Sequence, residues 1–328
     1  MHAHLTLSEY GQFIGVTSEC LTVKEAGVTK EYPLNRLKSV QIAKRGVSFS
    51  SDVIIACANR GIKFFIQDFK NETIASISGA QQHAVVRVRQ NQFEFIKTIK
   101  VATLSALVIE GKIKNQRATL LYFKKYHQLH KMTIDKTAEQ LNNILAQIKC
   151  RKWQDFDKWN EILLGLEGQA ASQYWQCLVA CDLMPNDFKN RIGRQAQDVG
   201  NKALNYGYAI LTSYIWNALL NAGLEPYCGF LHTTRAGKPS LVLDIMEEYR
   251  AWVVDRTVIK LRTQLNGKSD LTPAIKKKII TDIHKTFNTK YHYRKRKMRL
   301  ESILQRQVYH LAGYFSADKK YKSYRFRW

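Results

Sequence analysis

The sequence predicts an α+β protein, with a small N-terminal β-rich domain followed by a larger all-α domain. Three observations predict it. Apolar residues alternate with a period of two over roughly the first 80 residues, and from about His83 they recur with a period of 3.6. Only one proline, Pro185, falls between residues 34 and 225, which leaves long helices unbroken. The predicted divisions are 1–82 for the β-rich domain, 83–318 for the helical domain and 319–328 for a basic aromatic tail.

In the first segment Leu5-Thr6-Leu7, Phe13 to Val16, Cys20 to Val23 and Ser39 to Ile42 read as strands. Glu9-Tyr10-Gly11, Glu25-Ala26-Gly27 and Arg45-Gly46 read as the turns between them. Ser50-Ser51-Asp52 suits the start of a short helix through Ala58, Asn59-Arg60-Gly61 its end, and Ile62 to Ile66 a further strand. The β-rich region ends near Gly79. Beyond it, Val85, Val88, Phe93, Ile96, Ile99, Leu104 and Leu107 keep helical spacing, and further helices are predicted over 116–130, 136–149, 157–182, 200–222, 240–264, 273–287 and 298–312.

The chain of 328 residues is 45% apolar and 24% charged, which excludes wholesale disorder. Lys and Arg total 51 against 27 Asp and Glu, a formal charge of +24. The last 53 residues carry 16 basic and 3 acidic side chains, so the charge gathers toward the C-terminus. Such an excess points to a polyanionic partner, nucleic acid before membrane. Cys20, Cys57, Cys150, Cys177, Cys181 and Cys228 form no CxxC or zinc-ligand spacing, and the first residues lack the pattern of a secretory leader; a cytoplasmic protein with free thiols is expected. Ala203 to Leu224 carries no charge, yet Asn205, Asn217 and Asn221 make it a buried helix rather than a membrane span.

Two regions carry candidate chemistry. At helical spacing Leu163, Glu167, Ala170, Ala171, Tyr174 and Leu178 share a face, which sets one carboxylate in an apolar stripe. Such a group needs a hydrogen bond, a counter-charge or a metal, and a structural Glu bonded to a buried ring is as consistent with the pattern as a functional one. Gly165 and Gly168 each cost ~1 kcal/mol relative to Ala inside a helix, which predicts close approach of another backbone. The second region runs from His232, in a glycine-bounded loop, into a helix starting at Pro239-Ser240. There Asp244, Glu247, Glu248 and Asp255 form an acidic stripe beside Leu241, Ile245, Tyr249, Trp252 and Ile259. An ordinary amphipathic helix has that look. Equally, Glu167, His232 and Glu247 or Asp244 would make an O/N donor set suited to Mn²⁺ or Mg²⁺.

Three blocks then bear a family resemblance: Leu164 to Trp175, Asn201 to Leu211, and Gly223 to His232 continuing through Arg235-Ala236-Gly237 and Ser240 to Glu248. In order and spacing they resemble the CRISPR-associated endonuclease/integrase family that inserts new spacers during CRISPR adaptation; Lys114-Asn115-Gln116 is a weaker match. The resemblance implies that Glu167, His232 and Glu247 bind a catalytic Mn²⁺ or Mg²⁺ and that Asp244 supports them, all four being catalytic. Arg235 and Ser240 match motif positions with no chemistry assigned.

It also implies a β-domain used for homodimerisation and a reaction in which the 3′-OH ends of incoming spacer duplexes join the repeat boundaries by transesterification. In class terms that is a phosphodiester hydrolase. A small ferredoxin-like partner subunit is implied as well, and no nucleotide cofactor, in keeping with the lack of a Walker A or GxGxxG motif. The alternatives are a related integrase of a mobile element and a non-catalytic basic DNA-binding protein.

Smaller signals complete the reading. Arg294, Lys295, Arg296 and Lys297, interleaved with Tyr291 and Tyr293, are candidate DNA contacts. His127 and His130 have a spacing open to metal but no acidic neighbour, and Cys177 and Cys181 read as core residues.

Overall fold

The computed structural model describes residues 4–68, 73–77, 79, 85–155, 157–193, 195–232, 235–316 and 319–327. The chain divides into two compact units, Met1–His83 and Ala84–Trp328. In the first, the period-two runs become strands β1 (His4–Leu7), β2 (Phe13–Thr17), β3 (Cys20–Glu25), β4 (Val28–Pro33), β5 (Ser39–Ile42) and β6 (Ser48–Phe49). Helix α1 (Ser51–Asn59) and strands β7 (Lys63–Gln67) and β8 (Thr73–Ile77) follow. Two four-stranded sheets result, ordered β1-β5-β7-β8 and β4-β3-β2-β6. Leu7, Ile14, Leu21, Val40, Val53 and Phe64 are all buried in the core of this unit. Strands β4, β6 and β8 were not anticipated. β4 lies at a sheet edge with its first four residues exposed, so it lacks the apolar alternation that marks a half-buried strand.

The second unit is built from α2 (Val85–Phe95), α3 (Lys100–Lys124), α4 (Lys131–Lys149), α5 (Trp159–Ala180) and α6 (Val199–Asn221). It continues through α7 (Ser240–Met246), a π-helical turn (Ala251–Asp255), α8 (Arg256–Leu265), α9 (Pro273–Asn288), β9 (Lys290–Tyr293), β10 (Arg296–Arg299) and α10 (Leu300–Phe315). The α+β class therefore holds, with a helical second part. Helix α6 is the uncharged segment and is buried nearly all round, and the Asp198 side chain caps it by accepting from the Asn201 N–H at 2.7 Å. Among the described residues no helix is long and apolar enough to cross a membrane.

Three local departures from the sequence reading matter for the site. The helix expected at 116–130 begins at Lys100, which brings Lys112 and Asn115 onto α3. The helix expected over 240–264 changes to π spacing at Ala251–Asp255, which ends the 100° repeat that would have kept Asp244 and Asp255 in one stripe. Gly165 and Gly168 face open space, so no other backbone approaches them; both are exposed on α5, flanking Glu167.

Residues 319–327 form no free tail. Tyr321, Tyr324 and Phe326 are buried, and the Phe326 ring stacks on Trp252 at 5.2 Å. Asn115, wholly buried on α3, donates to the carbonyls of Glu248 and Tyr324 and accepts from the Phe326 N–H. The Glu248 carboxylate accepts from the Tyr321 hydroxyl and from the Tyr324 N–H at 2.8 Å. Burial pushes the Glu248 carboxyl up to about 7, although these hydrogen bonds pull the other way.

Two predictions follow from this clamp. Phe326→Ala lowers the unfolding free energy by about 3–5 kcal/mol, as expected for loss of a buried aromatic ring; chemical denaturation measures it, with half-exposed Tyr309→Ala as a near-neutral control. Between pH 4.5 and about 7 the unfolded chain has released the Glu248 proton while the folded chain keeps it, so this group's contribution to wild-type stability falls as pH rises. Glu248→Gln removes that slope. Its stability relative to wild type improves by roughly 3 kcal/mol from pH 4.5 to 8, at ~1.4 kcal/mol per pH unit, read from urea unfolding at both values.

Candidate active site

Asp244 is the polar centre of the site. It lies on α7, wholly buried, and its carboxylate accepts the backbone N–H groups of Phe230 (2.7 Å), Leu231 (3.1 Å) and His232 (3.0 Å). The same carboxylate meets His232 Nδ1 at 2.7 Å. A burial that would be costly for a lone charge is thereby satisfied four times over. With Nδ1 donating to Asp244, the neutral imidazole carries its lone pair on Nε2. Gly229 permits this wrap, because a Cβ there would stand 2.6 Å from Asp244 Oδ2. Ser240 does not cap α7; its hydroxyl donates to the Tyr227 carbonyl and accepts the Gly229 N–H, closing the same loop from the other side.

Glu247 follows one turn along. Its side chain is 5% exposed and contacts Lys112 Nζ at 2.7 Å and Arg250 Nη1 at 2.7 Å. Glu167, from α5, meets the same Lys112 ammonium and is 20% exposed, so it stands at a wall rather than inside the core. Burial by itself would raise the Glu247 carboxyl, but the Arg250 and Lys112 cations outweigh it and, with His232, hold it at about 2. Lys112 in turn stays protonated despite its burial, because Glu247 and Glu167 raise its pKa.

The remaining carboxylates of the stripe are equally buried, which rules out a solvated amphipathic face. Asp255 accepts from the hydroxyls of Tyr208 (2.5 Å) and Tyr174 (3.1 Å), and burial raises its pKa against those bonds. Glu167, Glu247 and Asp255 line an open cleft of about 500 Å³ whose wall also carries Lys189, Arg191 and Arg250. Trp175 and Tyr208 supply aromatic surface there, with Arg250 lying 4.5 Å above the Tyr208 ring.

The structure thus joins Glu167 to Glu247 through Lys112, and ties His232 to Asp244. His232 lies near enough to Glu247 for a proton on its ring to act on that carboxylate. Among the described residues no three His, Cys, Asp or Glu side chains already converge as a metal shell. The donors still suit a divalent cation: two carboxylates already share one cation, and an oriented imidazole is held beside them.

Arg294, Lys295, Arg296 and Lys297 sit apart on the β9–β10 hairpin, all exposed. Tyr291 and Tyr293, interleaved with these cations in the sequence, are buried instead: Tyr291 accepts from Trp252 Nε1 and Tyr293 donates to Gln307. Lys290 and His292 point out while Tyr291 and Tyr293 point in, a period-two signal that could have revealed the strand. His130 stands 3.7 Å from Asp182, and the Cys177 and Cys181 sulfurs lie 3.9 Å apart in the core. Lys112, Lys189, Arg191 and Arg250 were not singled out in the sequence; the Lys114-Asn115-Gln116 block lay two residues from Lys112, and the block ending at Glu248 two residues from Arg250.

A family model described as "CRISPR associated protein Cas1" matches residues 5–286. The chain belongs to the Cas1 family. The protein of Francisella tularensis subsp. novicida (strain U112) named CRISPR-associated endonuclease Cas1 1 is 48% identical over 325 residues, covering 99% of each chain. Two solved structures share the Cas1-family fold. A casposase bound to integration product superposes with a TM-score of 0.79 at 21% identity, over 98% of this chain and 94% of that one. A chain of a Cas6-RT-Cas1–Cas2 complex gives 0.75 at 21% identity, over 98% of this chain and 36% of that one.

The hold of Asp244 on its loop is open to test. Asp244→Ala leaves the N–H groups of Phe230 and Leu231 without an acceptor, and their amide exchange with deuterium is expected to quicken at least tenfold (about 1.4 kcal/mol). Amides of α4 serve as the unaffected reference.

Proposed function

We propose that this Cas1-family protein is a divalent-metal-dependent DNA integrase of CRISPR adaptation, joining the 3′-OH ends of short duplex DNA to repeat boundaries. The observation that carries this reading is the meeting of the Glu167 and Glu247 carboxylates on one cation, beside the Asp244-oriented His232, at the edge of a cationic cleft. Glu167, Glu247 and His232 Nε2 would hold Mn²⁺ or Mg²⁺, with Asp244 fixing the imidazole. When bound, such an ion supplies Lewis-acid stabilisation of charge on the phosphoryl oxygens.

The chain's own residues account for the rest. Lys189, Arg191 and Arg250 give the cleft wall positive charge for a DNA phosphate, and the open face beside Gly165 and Gly168 leaves room for a strand at Glu167. In the transesterification the incoming 3′-oxygen forms a P–O bond as the bond to the displaced 3′-oxygen breaks. The attacking hydroxyl gives up a proton and the leaving oxygen gains one. No covalent intermediate on the protein is involved.

The incoming spacer DNA and the repeat DNA are both partners in this reading. Homodimerisation through the N-terminal unit, a small ferredoxin-like subunit and a cytoplasmic setting belong to the same proposal. The relative solved within a Cas6-RT-Cas1–Cas2 complex supports a protein partner, and the 48% identity to a named CRISPR-associated endonuclease supports the CRISPR setting. The exposed cations Arg294, Lys295, Arg296 and Lys297 extend the DNA contact through phosphates. The fold shared with a casposase favours, as a second reading, an integrase of a mobile element; gene neighbourhood separates the two.

The test is strand transfer. Labelled short duplexes with free 3′-OH ends are mixed with supercoiled repeat-bearing plasmid and Mn²⁺, with and without the small partner subunit. Wild type is expected to give joined product, while Glu167→Ala and His232→Ala each fall at least 100-fold. Equal joining by all three overturns the site assignment, and silence from all, partner included, returns the protein to non-catalytic DNA binding.

A further inference from the structure

Lys112 is the unusual group in this site. Its side chain is only 12% exposed, and both Glu167 and Glu247 hold its ammonium. The other carboxylate nearby on α3, Glu110, is bonded to Lys114 and also lies 3.6 Å from Lys149, so it takes no part. Glu247 has a second cation in Arg250, which reaches its other oxygen; Lys112 is the cation placed against Glu167. A lysine therefore stands between the two carboxylates that the functional reading assigns to a divalent ion.

Two like charges cannot share that position, since each would meet the other at contact range in a poorly screened setting. The carboxylates need a cation there all the same, because a buried pair of like charges is otherwise unfavourable. A lysine suits a replaceable role. Its charge is a compact ammonium on a flexible four-carbon stem, unlike the planar fork of arginine. Lys112 also lines the cleft, so a rotation of its stem carries the ammonium toward the open side, where Arg191 and Lys189 already make the wall cationic.

We propose that Lys112 and the divalent ion are alternative occupants of the position between Glu167 and Glu247, so that Lys112 sets the metal affinity and is released into the cleft when the ion binds. This rests on the metal-site reading above. It gives Lys112 a positioning role: in one arrangement it keeps the carboxylates together, and in the other it adds a charge to the phosphate-facing wall. It also makes metal and phosphate bind cooperatively, because both favour the released arrangement.

The experiment uses the full-length protein and Mn²⁺ alone. Isothermal titration of wild type, Lys112→Met and Lys112→Arg, each checked for folding by circular dichroism, is expected to show Lys112→Met binding Mn²⁺ at least about tenfold tighter than wild type. Lys112→Arg, which keeps the charge, binds no tighter. Wild type is also acetylated with an N-hydroxysuccinimide ester with and without Mn²⁺, and Lys112 is followed by peptide mass spectrometry against exposed Lys131. Mn²⁺ is expected to raise Lys112 labelling several-fold; this arm decides the matter if Lys112→Met does not fold.

Wild type that binds Mn²⁺ while Lys112→Met binds equally or more weakly, or while Lys112 labelling stays unchanged, overturns this inference and leaves the metal site standing. No Mn²⁺ binding by wild type overturns the metal site itself, and this inference with it.

Discussion

The candidate site and the segments that meet on it depend on one electrostatic constraint, the burial of four carboxylates within the twelve residues from Asp244 to Asp255. A buried carboxylate must be hydrogen-bonded, paired or protonated. Here each of the four is satisfied by a different part of the chain. Asp244 gathers the 230–232 backbone and His232; Glu247 takes Lys112 from α3 and Arg250 from the turn ahead; Glu248 takes the C-terminal segment; Asp255 takes Tyr174 of α5 and Tyr208 of α6. One stretch of helix thus fixes the geometry of five elements by polar contacts that tolerate little displacement.

The chemical consequence is a division of labour among residues of one type. Glu248 and Asp255 are shifted upward by burial and fasten neighbouring elements, whereas Glu247 is kept ionised by Arg250 and Lys112. Asp244 spends its hydrogen-bonding capacity on orienting His232. The carboxylates left facing the cleft are Glu167 and Glu247, with Asp255 behind them. The chain as a whole carries +24, so the gathering of these carboxylates at one place runs against its overall charge.

How much was legible in the sequence differs from residue to residue. Glu167 could be picked out because a carboxylate interrupts an apolar helical stripe, but its pairing with Lys112 could not, since those residues are 55 positions apart. The acidic stripe was visible, yet the π turn and the burial of all four groups depend on what packs around them. Tyr291 and Tyr293 carried a period-two signal that the surrounding charge obscured. The last ten residues read as a tail because Lys and Arg dominate there; Tyr321, Tyr324 and Phe326 find their places only through Asn115, Glu248 and Trp252.

The sequence by itself determined the class of the fold, the change from strand to helix, the family blocks and the basic character of the molecule. These are properties of local periodicity and composition, set by side-chain spacing of two or 3.6 along the backbone. Tertiary structure decided which acids face the cleft, which cation stands between them, and that the C-terminal aromatics belong to the core. Those outcomes depend on desolvation and on partners distant in sequence, and a carboxylate's ionisation is fixed by the charges and donors that packing brings within reach of it.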